Sequence, residues 1–355
     1  MNSRERVKSA LNHQQPDRPP LWLWMVPEIS EKLRKHFGVA TEEELHEEIG
    51  NDVWWINPDY IGPEMKTYED GSWQDPLGMR LRIVKNKFGS YEDYVNFPLA
   101  NVQLLADLDH VADFQWVQPD WYDYSNIKEK IERACRKEQR WIVAGTATVF
   151  ERSWQVMGFE KMFIDMAINP ELVKAVMDRY QQFFLENTCR TLEAADGRVD
   201  MVYFGCDLAS QEGLLISREM FREFIKEGFR DYIDTLKARF GSHLKFFMHS
   251  CGAVSELIPE LIELGVDVLN PIQVQASGME PKGLKDEFGD KLSFCGALDI
   301  QDILPHGTPQ EVKSEAIRLV SILGKDGGYI ASAAHAVQAD TSVENILAML
   351  EGFKE

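Results

Sequence analysis

His249-Ser250-Cys251-Gly252 sets an imidazole and a thiol two residues apart, directly after the apolar run Phe246-Phe247-Met248. Side chains at i and i+2 of an extended segment leave on the same side. Such a pair can serve one ion together. Imidazole nitrogen and thiolate sulfur are donors that zinc favours, and a catalytic zinc keeps one position exchangeable. His335 follows a later apolar run and is the third metal candidate. The competing interpretation is a buried strand followed by a turn, with His335 capping a helix or touching substrate.

These residues need a frame that brings distant segments together. After about residue 140, short apolar runs rich in β-branched and aromatic residues alternate with amphipathic stretches, as buried parallel strands and their crossover helices do. The runs are 141–144, 201–204, 244–248, 266–269, 292–295 and 328–331, with two earlier ones at 21–24 and 53–56. Eight such units predict an α/β TIM (β/α)8 barrel, with a doubly wound sheet as the alternative. Ser217 opens one long helix, and Thr308-Pro309 opens another with a cap and a first-turn proline. Pro259 predicts a kink inside the helix after Cys251. The stretch 60–125, rich in Gly, Asp, Tyr and Pro, breaks the rhythm and is expected to be an inserted hairpin or lid, not an independent domain; the whole of 1–355 is one domain.

A barrel of this kind builds its site at the carboxyl ends of its strands. Asp59, Thr146, Cys206, Asp207, His249, Cys251, Asn270, Gln273, Asp299 and His335 all fall there. In the eighth unit His335 faces the fifth strand across the mouth. Asp207 is a base, a ligand's partner or a substrate anchor, or else a helix cap. Cys206 and Cys295 are more simply small buried hydrophobes. Alternation turns one side of Trp22-Leu23-Trp24 and one ring of Trp54-Trp55 inward, which gives an aromatic-walled pocket.

Composition narrows the partners. With 38 Lys plus Arg against 58 Asp plus Glu the net charge is −20, which repels phosphate backbones and argues against nucleic acid. The five scattered cysteines follow no disulfide framework, the amino terminus lacks a secretory h-region, and no run is long enough for a membrane span. A reduced cytoplasmic protein is expected, free of membrane and open to homodimer formation.

Ser3-Arg4-Glu5-Arg6-Val7, Pro16-Asp17-Arg18-Pro19-Pro20, Gln211-Glu212-Gly213-Leu214-Leu215-Ile216-Ser217, His249-Ser250-Cys251-Gly252, Gly265-Val266-Asp267-Val268-Leu269-Asn270-Pro271 and Phe294-Cys295-Gly296-Ala297-Leu298-Asp299 resemble the uroporphyrinogen decarboxylase-like superfamily over nearly the whole length, least between 60 and 125. The resemblance implies a TIM barrel. Its metal-free decarboxylases clamp a polycarboxylate tetrapyrrole with arginines in an early segment, whereas residues 21–28 here read LWLWMVPE, without arginine. Its other arm, the cobamide-dependent methyltransferases, shares the H-x-C pair. By that resemblance His249 and Cys251 are zinc ligands. The third ligand of the thiol-methylating enzymes is a cysteine, and His335 stands at the matching position.

The resemblance implies a zinc methyltransferase moving a methyl group between a small methylated compound and the cobalt of a corrinoid on a separate protein. An O-methyl donor is favoured, with a thiol acceptor as the variant. Asp207 or Glu151 is expected as fourth ligand or proton handler. Tyr203, Asn270, Gln273, Trp24, Trp55 and Asp299 are expected to contact substrate, and no residue is assigned to the corrinoid. The alternatives are a metal-free decarboxylase and a non-catalytic corrinoid- or ligand-binding barrel.

Overall fold

The computed structural model describes residues 1–111 and 114–355; the part of the expected 60–125 insertion that falls on 112–113 lies outside the described residues. Seven parallel strands, Val53–Trp55, Trp141–Ala147, Met201–Gly205, Lys245–His249, Val268–Ile272, Ser293–Leu298 and Tyr329–Ala333, form one sheet in chain order. Helices on the outside connect them, so the strands from Met201 to Leu298 are buried at nearly every position. This is a TIM-like fold.

The run 21–24 is a correction to the eight-strand expectation. It makes single parallel bridges, Leu21 with Ala331 and Met25 with Val337, in place of a ladder. It still stands where the remaining barrel strand belongs. Trp22 N donates to Ala331 O at 3.1 Å on one side, and Asp52 N donates to Leu21 O at 2.8 Å on the other. Buried side chains replace part of the backbone pairing: Leu21 N donates to Asp52 Oδ2 at 2.7 Å and Leu23 N to Asn51 Oδ1 at 2.9 Å. These donors are satisfied without a neighbouring strand carbonyl.

Inside the barrel, Trp22, Val53, Trp141, Val143, Met201, Tyr203, Phe247, Val268, Cys295 and Ile330 form a buried plug, closed below by Val7 and Leu11 of helix Ser3–Leu11. The two-residue alternation of a strand carries this inward face upward. It leads from Trp22 to Trp24, from Val53 to Trp55, from Phe247 to His249 and from Val268 to Asn270.

At the opposite end, the Ser3, Arg6 and Asp17-Arg18 motifs converge on Asp52, whose side chain is fully buried. Its carboxylate accepts from Arg6 Nη1 at 2.6 Å, Arg18 Nη1 at 2.7 Å and Ser3 Oγ at 2.8 Å. A buried anion survives when it is paired and hydrogen-bonded in this way.

Ser217 caps Arg218–Phe221, which runs through a π-turn at Arg222–Lys226 into Glu227–Phe240. Thr308 makes a capping box with Glu311 ahead of Pro309–Leu323. The kink expected at Pro259 is absent. A 3-10 turn, Ser255–Leu257, comes first, and Pro259 falls in the opening turn of Ile258–Leu264. There its missing N–H costs nothing.

The insertion contains the expected hairpin, Arg80–Lys85 paired antiparallel with Ser90–Asn96 and edged by Trp73–Gln74. Its tip reaches the rim beside the first and last units, where Ser90 N donates to Glu28 Oε1 at 3.1 Å. Its base brings Tyr94 against Trp154, ring centroids 5.7 Å apart. Among the described residues no helix is long and apolar enough to cross a membrane.

Candidate metal centre

The ligand atoms of His249, Cys251 and His335 all lie within 4.8 Å of one another at the barrel mouth. His249 is the last residue of its strand, and Cys251 lies in the turn just beyond. The turn requires Gly252: its φ is +86°, and a Cβ there would meet Ser210 O at 2.4 Å and Ala209 O at 2.5 Å. His335 arrives from the loop after Tyr329–Ala333 and sets its ring 5.5 Å from that of His249, at 70°.

These donors suit a zinc ion. Bonds of about 2.0 Å to nitrogen and about 2.3 Å to sulfur at a tetrahedral angle hold the two donors about 3.5 Å apart. His249 Nε2 and Cys251 Sγ stand 3.5 Å apart. Burial lowers both histidines below the usual imidazole range and so favours the neutral ring, which keeps one N–H and offers its other nitrogen as a donor to a metal. Burial, then the charge of Asp207, pushes the Cys251 thiol well above its ordinary value while no cation is beside it.

Two carboxylates border the donors. Asp207 Oδ1 accepts from Cys251 N at 2.8 Å and stands 3.8 Å from His249 Nε2. Asp207 N donates in turn to Glu151 Oε1. Glu151 Oε2 is buried without a hydrogen-bond partner. Burial first, with the neighbouring Asp207 charge adding to it, raises Glu151 from 4.5 to about 7. A carboxyl in this state is protonated near neutrality and can give or take a proton.

The aromatic wall is present. Trp24 and Tyr203 lie with ring centroids 6.0 and 6.2 Å from His249. Trp55 packs on Tyr203 at 4.5 Å, while its Nε1 donates to Gly145 O at 3.1 Å. Trp24 Nε1 is buried and unpartnered.

Other sequence candidates turn elsewhere. Asp299 accepts from the backbone of Gln301, Asp302 and Ile303 at 2.8–3.1 Å, which makes it a turn cap. Gln273 Oε1 accepts from Gly252 N at 2.9 Å and Gln211 Nε2 at 2.7 Å, and so pins the Cys251 turn. Asn270 is 2% exposed and faces His249. Asp59 pairs with Lys130 at 2.6 Å, away from the cluster. Cys206 is buried, and its backbone N donates to His249 O at 2.8 Å.

Sequence reasoning missed Tyr94, whose ring packs on Trp154 of the helix that carries Glu151. It also missed Ser250, whose Oγ accepts from Leu208 N at 3.2 Å and ties the turn to the strand end carrying Asp207. Position beside His249 was the only sequence signal for Ser250.

The chain belongs to the uroporphyrinogen decarboxylase (URO-D) family, whose model matches residues 74–355. The chain is 27% identical over 330 residues to a methylated-thiol–coenzyme M methyltransferase of Methanosarcina mazei, covering 92% of this chain and 72% of that protein. In fold it is similar to the solved structure of a methyltransferase from Methanosarcina mazei, with a TM-score of 0.64, 16% identity and coverage of 99% and 98% of the two chains.

Proposed function

We propose that this chain transfers a methyl group between a small methylated compound and the cobalt of a corrinoid carried by a separate protein, using zinc on His249, Cys251 and His335. The observation that carries this is the convergence of two imidazoles and one thiol whose ligand atoms lie within 4.8 Å of one another in the mouth, with His249 Nε2 and Cys251 Sγ at the 3.5 Å of a tetrahedral pair. The methyltransferase relatives support the reaction class. The absence of arginine from residues 21–28 weighs against the decarboxylase alternative.

Zinc in this site would supply Lewis acidity toward the oxygen or sulfur that bears the methyl group. The donor set decides how strongly. Two neutral histidines and one thiolate bring a single negative charge, so they neutralise the ion less than two thiolates and a histidine would. That favours an ether oxygen as the activated group. The relative's name favours sulfur as the second reading, with the same donors holding a thiolate.

The chain's own groups do the rest. Trp24, Trp55 and Tyr203 line one side of the mouth with aromatic surface. Protonated Glu151 holds a proton one residue contact away from the donors, available to an oxygen that has lost its methyl group. Asp207 fixes the Cys251 turn through its backbone N–H.

Metal analysis of the purified protein and of Cys251→Ala tests the proposal, together with loss of the Co(I) absorbance of cob(I)alamin in the presence of a methoxybenzoate or a methylated thiol. Zinc near one per chain, lost in the variant along with methylation, is expected. Equal zinc in both proteins, or none in either, overturns it.

A further inference from the structure

Asn270 carries one amide oxygen and one amide nitrogen, and its neighbours dictate which faces which. Cys295 O lies 3.3 Å from the amide nitrogen. A carbonyl can only accept, so the NH2 group must point there. This leaves Oδ1 at 2.7 Å from His249 Nδ1. The amide oxygen can also only accept, so Nδ1 carries a hydrogen. A neutral imidazole has one N–H. With Nδ1 as the N–H, His249 Nε2 is the nitrogen left to offer a lone pair to a metal, and it is the one 3.5 Å from Cys251 Sγ.

The backbone sets this pairing. Asn270 and His249 are direct register partners on adjacent parallel strands, and Cys295 belongs to the next strand along. Three neighbouring strands thus form one relay of directed hydrogen bonds ending at the metal-facing nitrogen. Both polar ends of Asn270 are engaged, and its side chain is buried.

We infer that Asn270 is a positioning residue: it fixes the His249 tautomer and ring orientation that put Nε2 toward the metal. It does not orient substrate. The inference rests on the zinc reading above but can fail separately from it. Without the amide, the buried Nδ1–H loses its acceptor, and the ring gains by turning over or moving its hydrogen to Nε2. Either change removes the lone pair from the site.

Two measurements test this on the full-length protein. In zinc-free protein labelled with 15N-histidine, long-range proton–nitrogen correlation should show His249 as the Nδ1–H tautomer; an Nε2–H tautomer overturns the inference whatever metal the protein binds. In competition with a chromogenic chelator, Asn270→Leu should bind zinc about 10- to 100-fold more weakly. Asn270→Asp, which keeps an acceptor for Nδ1, should bind more tightly than the leucine variant. Wild-type zinc affinity in Asn270→Leu with a raised KM would mean a substrate contact and overturn the inference alone. A wild-type protein that binds no zinc overturns the proposed function, while the tautomer measurement still decides the role of Asn270. Should Asn270→Leu fail to fold, Asn270→Asp and the wild-type tautomer decide.

Discussion

Glu151→Gln removes a proton site while keeping the shape of the side chain. Burial, reinforced by the Asp207 charge, raises the carboxyl from 4.5 to about 7. A difference of about 2.5 pH units corresponds to about 3 kcal/mol between its two protonation states. The folded state holds the proton more tightly than the unfolded chain does. Its contribution to stability is therefore fully present below about pH 4.5 and is lost as pH rises through about 7. Glutamine cannot ionise and should not lose it.

Urea unfolding of chelator-treated wild type and Glu151→Gln, compared at about pH 5, 6, 7 and 8, measures this directly. Wild type should lose about 1.4 kcal/mol per pH unit relative to the variant across most of this range, then level off above pH 7. Bound zinc would add positive charge nearby, favour the carboxylate and so move the midpoint of the loss to lower pH. A wild-type-to-variant difference that stays constant from pH 5 to 8 would refute the assignment of a buried, proton-holding Glu151. It would also remove the proton source from the mechanism.

Gly252→Ala should destabilise the fold by more than about 2 kcal/mol and reduce zinc content, because a Cβ there meets two carbonyl oxygens at 2.4 and 2.5 Å and φ is +86°; urea midpoints and metal analysis check both. Asp52→Asn leaves Arg6 and Arg18 without their buried anion and should cost about 3–5 kcal/mol in urea unfolding, with zinc affinity unchanged. His335→Cys should retain zinc but slow demethylation of an ether about tenfold, or about 1.4 kcal/mol of barrier. A rate unchanged in that variant would dissociate the donor set from Lewis acidity.

Much of the frame was legible because a strand buried on both faces leaves an apolar run in the chain, as at 201–204 and 244–248. The H-x-C pair could be seen because two-residue spacing is a local property. His335 joined it through barrel topology alone. What escaped was the choice of partners. Asp299 and Gln273 have side chains fit for substrate, yet each accepts from backbone amides supplied by the folded turns. Residues 21–24 look like any other strand, but Asn51 and Asp52 take over hydrogen bonds that a neighbouring strand would make. Pro259 misled because a 3-10 turn moved the helix start, and propensity cannot place that turn.

The Asp52 cluster has a consequence for how such a protein can change. It ties helix Ser3–Leu11, the Asp17-Arg18 turn and the first sheet strand at the end of the barrel opposite the donors. Substitutions at the mouth leave these bonds untouched, so a lineage can trade an imidazole for a thiolate, or one aromatic ring for another, without redesigning the scaffold. Substrate range can therefore change at the mouth's aromatic wall and third donor without touching the bonds at the far end of the barrel. A laboratory search for new methyl donors can vary Trp24, Trp55 and His335 while holding Ser3, Arg6, Arg18 and Asp52 constant.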